Sequence, residues 1–394
     1  MNTPKVNKRI LALDILRGFT IAGMILVNNP GSWGHIYAPL RHAEWNGLTP
    51  TDLVFPFFMF IMGISTYISL KKYNFEFSQS AALKIVKRTI VIFLIGCAIG
   101  WFSRFCRYWV SAPEELSFFE NLWASVWTFD RMRILGVMQR LALCYGAASI
   151  VALTVKHKRI PYIIATILIG YFVILMCGNG YEYNETNILS IVDRAILTPT
   201  HMYKDNGIDP EGLLSTLPSI AHVLLGFYVG KLMLDGNKSQ DRMSFLNSQI
   251  VTLFLVGTIL TFAGFLLSYG CPINKKIWSP TFVLTTCGLA SSFLALLIWI
   301  IDVKGKKKWS LFFEAFGVNP LFMYVLGGVL GILFGCIRFP WEDGMISIHT
   351  FLYKIVLMPV FGQTGGSLAY ALLFVTINWC IGYQLYKRKI YIKI

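Results

Sequence analysis

The sequence predicts an all-α, polytopic membrane protein of about ten transmembrane helices, with one further interfacial or re-entrant helix on the outer side. Three observations carry this reading. Of 394 residues, 55% are hydrophobic and only 14% charged, where a soluble domain carries about 25% charged residues; the mean hydropathy is +0.59. Apolar runs of about 20 residues, the length that crosses a bilayer as a helix, recur along the whole chain. Basic residues collect in short clusters between these runs, as the positive-inside rule requires. A transmembrane β-barrel is excluded, since its spans are alternating segments of roughly 10 residues. The net charge of +15 does not indicate nucleic acid, because it is distributed by topology rather than gathered on one patch.

The elements follow in order. The first span, 10–29, is interrupted by Asp14 and Arg17 and closes on Asn28-Asn29 before the breaker Pro30-Gly31. With no small-residue cleavage site after it, this run reads as a retained helix rather than a cleaved signal peptide. The remaining spans are expected at 51–70, 88–103, 134–155, 160–177, 213–234, 248–269, 281–301, 311–337 and 367–386. Residues 346–361 form a run too short to span, and it contains His349, Lys354 and Pro359. Counting it would also turn Lys387, Arg388 and Lys389 outward, so it reads as the interfacial or re-entrant helix. With both termini in the cytoplasm, the inner clusters are Lys5 to Arg9, Lys71 to Arg88, Lys156 to Arg159, Lys231 to Arg242, Lys304 to Lys308 and Lys387 to Lys393. They hold 22 of the 35 Lys and Arg. The outer segments are 30–50, 104–133, 178–212, 270–280 and 338–366. None is large enough for a separate domain, and no internal repeat is visible, so residues 1–394 read as one integral domain. The eight scattered cysteines form no CxxC pair and read as small packing residues, with no metal site.

The chemistry concentrates in RHAEWNGLTPTDLVFPFFMFI, Arg41 to Ile61. It places His42, Glu44, Trp45, Asn46 and Asp52 at a membrane boundary, where ionisable groups are costly to keep. An isolated loop histidine is usually solvated and inert. Here Glu44 or Asp52 can orient the imidazole, and neutral histidine suits general-base or nucleophilic work near pH 7. His35, in the same loop, is the rival. Asp14 and Arg17 lie one helical turn apart, either as an internal ion pair or with Arg17 open to an anion from the cytoplasm. Asn28 either caps a helix end or donates to a developing oxyanion. Gln139 and Arg140 sit within the fourth span, where a lone arginine needs a structural partner or a ligand; Arg131 and Arg133 before it read as snorkelling interfacial residues. Asn319-Pro320 breaks the ninth span and opens a polar spot. The residues alone leave enzyme and permease both open.

RILALDILRGFTIAGMILVNN and the following RHAEWNGLTPTDLVFPFFMFIMGIS closely resemble the heparan-α-glucosaminide N-acetyltransferase family of transmembrane acyltransferases. The resemblance continues in RMRILGVMQRLALCY, DPEGLLSTLPSIAHVLLGFYVGKL, NKKIWSPTFVLTTCGLA and DVKG, in order across nearly the whole chain. It implies transfer of acetyl from cytoplasmic acetyl-CoA, across the membrane, to the amine of a glucosamine-type sugar. The family's active-site histidine, in a motif like HASWNG, matches His42 in His42-Ala43-Glu44-Trp45-Asn46-Gly47, and its catalytic asparagine matches Asn28. The resemblance also matches Asp14 and Arg17 to the Asp and Arg of the family's first catalytic-domain helix; Glu44, Trp45, Asn46 and Asp52 are expected around the acceptor, and Asp14, Arg17, Gln139, Arg140 and Asn319 along the path of acetyl-CoA. His42 is either the general base or the acetyl carrier. The lumenal domain and extra helix of eukaryotic members are not matched, so the expectation is a bacterial inner-membrane enzyme, homodimeric by resemblance, acting on a small periplasmic amino sugar. A sugar or proton-coupled permease and an O-acetyltransferase of envelope glycans are the alternatives.

Overall fold

A computed structural model describes residues 10–113, 115–203, 205–235, 242–342 and 344–392. Lys5, Lys8, Arg9, Lys238 and Lys393 of the basic clusters lie outside the described residues. Every expected span falls on a helix: α1 (Leu11–Asn28), α2 (Pro50–Leu70), α3 (Gln79–Ser111), α5 (Val137–Thr154), α6 (Ile160–Cys177), α8 (Thr216–Asp235), α9 (Arg242–Leu267), α10 (Pro280–Ile298), the pair α11 (Leu311–Gly317) and α12 (Pro320–Cys336), and α14 (Met358–Lys387). Among the described residues, eight helices are singly long and apolar enough to cross a membrane, and the α11–α12 pair, bent by 76°, makes a ninth. The expected third span lies inside α3, one 33-residue helix that falls outside that count. The chain is therefore an all-α, multi-pass membrane protein.

Two of the expected outer loops are partly helical. Residues 104–133 contain the end of α3 and α4 (Phe118–Val126), started by a reciprocal Ser117–Glu120 capping box. Residues 178–212 contain α7 (Ile188–Leu197), capped by the Asn187 side chain. A two-stranded hairpin, β1 (Arg338–Trp341) with β2 (Gly344–Ser347), precedes α13 (Ile348–Thr350). A π-helical stretch, Phe351–Leu357, carries α13 into α14. The chain breaks again at Gly362, whose φ of 71° and ψ of 179° are not helical. Tyr353 donates its hydroxyl hydrogen to the Gln363 carbonyl, so the segment before Gly362 folds back on the last long helix. The short run at 346–361 is thus a separate helical arm.

Packing sorts the helices into layers. In α1, α2, α5, α8 and α10, more than 60% of the apolar window is buried, against 28% in α6 and 17% in α9. Exposed Leu, Ile and Phe side chains on the outer helices are a liability in water and ordinary in a bilayer. α2 lies against α8, α3 against α5, α9 against α10 and α1 against α11. Small residues let these backbones approach: a Cβ on Gly63 would stand 2.2 Å from the Val223 carbonyl oxygen, and one on Gly226 2.3 Å from that of Phe60.

Candidate functional site

The segment Thr49-Pro50-Thr51-Asp52 starts α2 with every device a helix N-terminus uses. Thr49 is the N-cap, proline occupies the first turn and Asp52 closes a capping box. Asp52 Oδ2 accepts from the Thr49 amide at 3.1 Å, the Thr49 hydroxyl at 2.9 Å and the Ala43 amide at 3.1 Å. Its Oδ1 lies 2.6 Å from His42 Nδ1. The carboxylate is fully buried at the positive end of a helix dipole, and it is already bonded to three donors. Such an ionised group only accepts, so Nδ1 carries the hydrogen and the Nε2 lone pair points away from Asp52. Among the described residues Nε2 has no partner, and the His42 side chain is 44% exposed. Of the two carboxylates that could orient the ring, it is Asp52 that does so. Glu44 is exposed and His35 turns to Ser32.

Lys275, from the loop between α9 and α10, approaches the same contact. Its Nζ is 3.0 Å from His42 Nδ1 and 3.4 Å from Asp52 Oδ1. Burial pulls its ammonium below the usual value, against the opposing attraction of Asp52 and Glu211. The pair neutralises the buried carboxylate, so His42 faces a dyad of little net charge rather than a bare anion.

A cavity of about 120 Å³ joins these groups to α1. His42, Lys275, Glu211, Tyr324 and Asn28 line it, with Met24, Val54 and Val137 as apolar wall. Asn28 is the last residue of α1; the chain must leave the helix there because Pro30 cannot continue it. Its amide has no partner among the described residues, whereas Asn29 folds back onto the Ile25 carbonyl at 2.8 Å. Glu211 accepts from Arg133 at 2.5 Å, and its own amide donates to buried Asp209 at 2.9 Å. Burial pushes the Glu211 carboxyl up, but Arg133 and Arg140 outweigh it and hold the group below its ordinary value. Arg133, expected to snorkel, is instead the clamp of this carboxylate pair.

The Glu211 loop is seated on Asp193 of α7. Asp193 Oδ1 accepts from the Leu213 amide at 2.8 Å, and residue 212 must be glycine because a Cβ there would lie 1.8 Å from Asp193 Oδ2. Burial, partly offset by the amide donors of Leu213 and Leu214, lifts this carboxyl from 3.8 to about 6. A raised carboxyl favours the fold fully below its ordinary value, and that contribution is lost as pH rises through about 6. Wild type is therefore expected to lose on the order of 2–3 kcal/mol relative to Asp193→Asn between about pH 4 and pH 6.5. Thermal midpoints across that window test this; parallel curves for the two proteins would contradict it.

The site does not end at this cavity. A vestibule of about 590 Å³ shares Met24, Asn28 and Tyr324 with it. A third cavity, of about 260 Å³, lies toward the opposite end of the bundle and is lined by Arg17, Ser65, Thr66, Arg88 and Leu321. The third cavity is lined from α1, α2, α3, α5 and α12, and four of these helices, α1, α2, α5 and α12, also line the first; no residue lines both. Arg17 and Asn28 are 11 positions apart on α1, roughly 16 Å along the axis. Arg17 donates to Asp14 Oδ1 at 2.7 Å and Ser65 Oγ at 2.8 Å. Arg88 stacks over Tyr145 at 4.7 Å, and among the described residues its Nε has no partner. Two guanidinium groups on one cavity suit a phosphate-bearing ligand.

Other sequence-expected residues lie elsewhere. Trp45 donates Nε1–H to the Tyr181 carbonyl and stacks on Tyr183, and Asn46 Oδ1 accepts from Asn274. Both pin the His42 loop to its neighbours. Gln139 faces α3 at Gly96 and Cys97. Arg140 is fully buried, donating to the Gly212 carbonyl and Ser215 hydroxyl and lying over Trp278. Asn319 bonds the backbone of Ile390 and Ile392, tying down the C-terminal segment. None of Gln139, Arg140 and Asn319 lines the three cavities. Lys275, Glu211 and Tyr324 do line the site and were not singled out from sequence; Lys275 and Glu211 belong to the blocks NKKIWSP and DPEGLL, and Tyr324 belongs to neither.

A family model described as heparan-alpha-glucosaminide N-acetyltransferase, catalytic, matches residues 9–264. The chain is 27% identical over 374 residues to the human heparan-alpha-glucosaminide N-acetyltransferase, covering 80% of this chain and 52% of that protein. It is 26% identical over 450 residues to the mouse protein of the same name, covering 98% and 60%. The chain thus spans about half the length of the curated relatives it matches.

Proposed function

The chain belongs to the heparan-alpha-glucosaminide N-acetyltransferase catalytic family, and from that premise we propose that it transfers acetyl from acetyl-CoA to the amine of a glucosamine-type sugar across a membrane. With the basic clusters in the cytoplasm, the Arg17 end takes the donor and the His42 end faces the periplasm across the inner membrane. Arg17 and Arg88 hold the phosphates of CoA, and the pantetheine arm runs between α1, α2 and α12 toward Asn28. What carries this reading is that the Asn28 amide and the free Nε2 of His42 line one cavity.

The sugar nitrogen attacks the thioester carbonyl carbon. His42 Nε2 takes a proton from that nitrogen, while the Asn28 amide donates to the oxygen that becomes anionic. The C–S bond then breaks, the amide N–C bond remains, and the proton on His42 passes to the departing sulfur. Glu211, across the cavity, holds the sugar's ammonium or hydroxyl groups before attack; Asp52 and Lys275 keep the imidazole in place. In the carrier variant, His42 itself attacks the thioester and passes the acetyl on.

Purified protein is expected to release CoA only when acetyl-CoA and glucosamine are both supplied, with N-acetylglucosamine as the product by mass. Uptake of the sugar into vesicles without acetyl-CoA, and no CoA release, would replace this reading with a permease. Asn28→Ala is expected to lower kcat about 10²–10³-fold with the donor KM little changed. A variant whose loss falls on KM alone would make Asn28 a binding residue. Acetyl found on His42 in the absence of acceptor selects the carrier variant.

A further inference from the structure

The vestibule, of about 590 Å³, has walls of two kinds. Asn28, Asn29, Arg107 and His349 make its polar wall; along its flank run Ile99 of α3 and the glycine face of α12. A Cβ on Gly328 would meet only the Ile99 side chain, at 3.8 Å, and one on Gly335 would meet nothing. A low wall of Gly328, Ile332 and Gly335 therefore runs along a membrane-spanning helix in the same vestibule as the catalytic asparagine. Arg107, on the α3 wall, is bonded within the described residues only to Ser103 on its own helix, at 3.3 Å, which leaves its charge to the vestibule.

The helix behind that wall fixes its depth. α4 is strapped to α3 by Trp101 Nε1–H to the Val126 carbonyl and by Arg104 to the Thr128 and Arg131 carbonyls. Phe118, Phe119, Trp123, Trp127 and Phe129 on and beside it are all between 46 and 78% exposed. Exposed aromatic rings on a short amphipathic helix belong at the boundary between headgroups and acyl chains. The vestibule lies against the same turns of α3, so it opens at headgroup level of the leaflet on the His42 side.

We propose that the vestibule takes a lipid-anchored amino sugar, an inference that rests on the acetyltransferase reading above. The glucosamine ring reaches Asn28 and His42, a phosphate linkage lies at Arg107, and the hydrocarbon chain leaves along Gly328 and Gly335 between α3 and α12. The polar and apolar walls are explained together by an amphipathic ligand; a freely soluble sugar needs Asn28 and His42 but neither Arg107 nor the glycine face of α12.

The test uses full-length protein in phosphatidylcholine vesicles with acetyl-CoA and two acceptors: free glucosamine, and glucosamine joined through phosphate to a long-chain alcohol. The lipid acceptor is expected to be acetylated with a kcat/KM at least about tenfold higher, from burial of only part of the chain. Gly328→Leu and Arg107→Gln are each expected to remove that advantage while turnover of free glucosamine stays at the wild-type rate. Equal or poorer use of the lipid acceptor, with free glucosamine turned over, overturns the inference and leaves the acetyltransferase standing. The inference falls in the same way if either variant lowers both acceptors alike. Failure of both acceptors to release CoA from wild type overturns the acetyltransferase reading as well.

Discussion

His42→Ala is expected to lower acceptor-dependent CoA release by about 10²–10⁴-fold, the range for loss of a positioned general base. Asp52→Asn is expected to fall in the same range, for a different reason. The carboxylate accepts from His42 Nδ1 at 2.6 Å, whereas an amide nitrogen in its place presents hydrogens. The imidazole then meets a donor at Nδ1 and moves its own hydrogen to Nε2, where the lone pair is needed; the corresponding change in a Ser-His-Asp triad costs about 10⁴ in kcat. Asp52 also caps α2, so the same variant loses stability, on the order of 1 kcal/mol. Thr49→Val separates the two effects. It removes the 2.9 Å hydroxyl bond to Asp52 and weakens the cap without changing what Nδ1 faces. Thermal midpoints should fall in both variants and turnover chiefly in Asp52→Asn. An Asp52→Asn protein within about threefold of wild type would show that Asp52 is a helix cap and nothing more, leaving the tautomer argument without support.

The contrast between residues that were legible in the sequence and those that were not has a physical basis. Spans could be read because the bilayer demands a length and a composition of each segment separately, a local requirement. Asp52 and Asn28 were legible for a related reason: each sits in the first or last turn of a helix near a proline, where the chain itself fixes the side chain's position; His42 was legible only through the carboxylates near it in sequence. Lys275 was not, because its meeting with His42 spans 233 positions and depends on how α2 and α10 pack. Arg140 and Asn319 show the converse. A polar residue inside an apolar run announces that something must satisfy it but not on which face. For Arg140 the partner is the backbone at Gly212, and for Asn319 it is the C-terminal segment. The Glu44 and Asp52 alternative was settled by three backbone and hydroxyl donors converging on Asp52, a geometry that composition does not carry. The outer helices α4 and α7 were missed since their Ser117 and Asn187 caps sit in segments too short and polar to register as spans.

The largest effect on stability is expected at the crossing beside Arg17. Gly18 of α1 and Gly317 of α11 face each other. A Cβ on Gly18 would lie 1.8 Å from the Phe313 carbonyl oxygen, and one on Gly317 2.0 Å from that of Asp14. The opposing atoms are backbone on rigid helices, so neither side can yield by a rotamer change. Gly18→Ala must push the helices apart by more than an ångström, which empties contacts along the whole α1–α11 seam, and overpacking of this kind costs about 3 kcal/mol or more. Arg17 is the next residue and Asn319 follows two positions after Gly317, so the same displacement moves the guanidinium from Ser65 and the clamp from the C-terminal segment. Gly335→Ala is the control. Nothing lies within 4 Å of its Cβ, and an alanine near a helix end in open space is expected to be neutral or to stabilise by up to about 1 kcal/mol. The measure is the half-life of the monodisperse species in detergent at fixed temperature. Gly18→Ala should shorten it severely and Gly335→Ala should not. Equal half-lives would mean that α1 and α11 are not in backbone contact, and the placement of Arg17 on its cavity would fall with that contact.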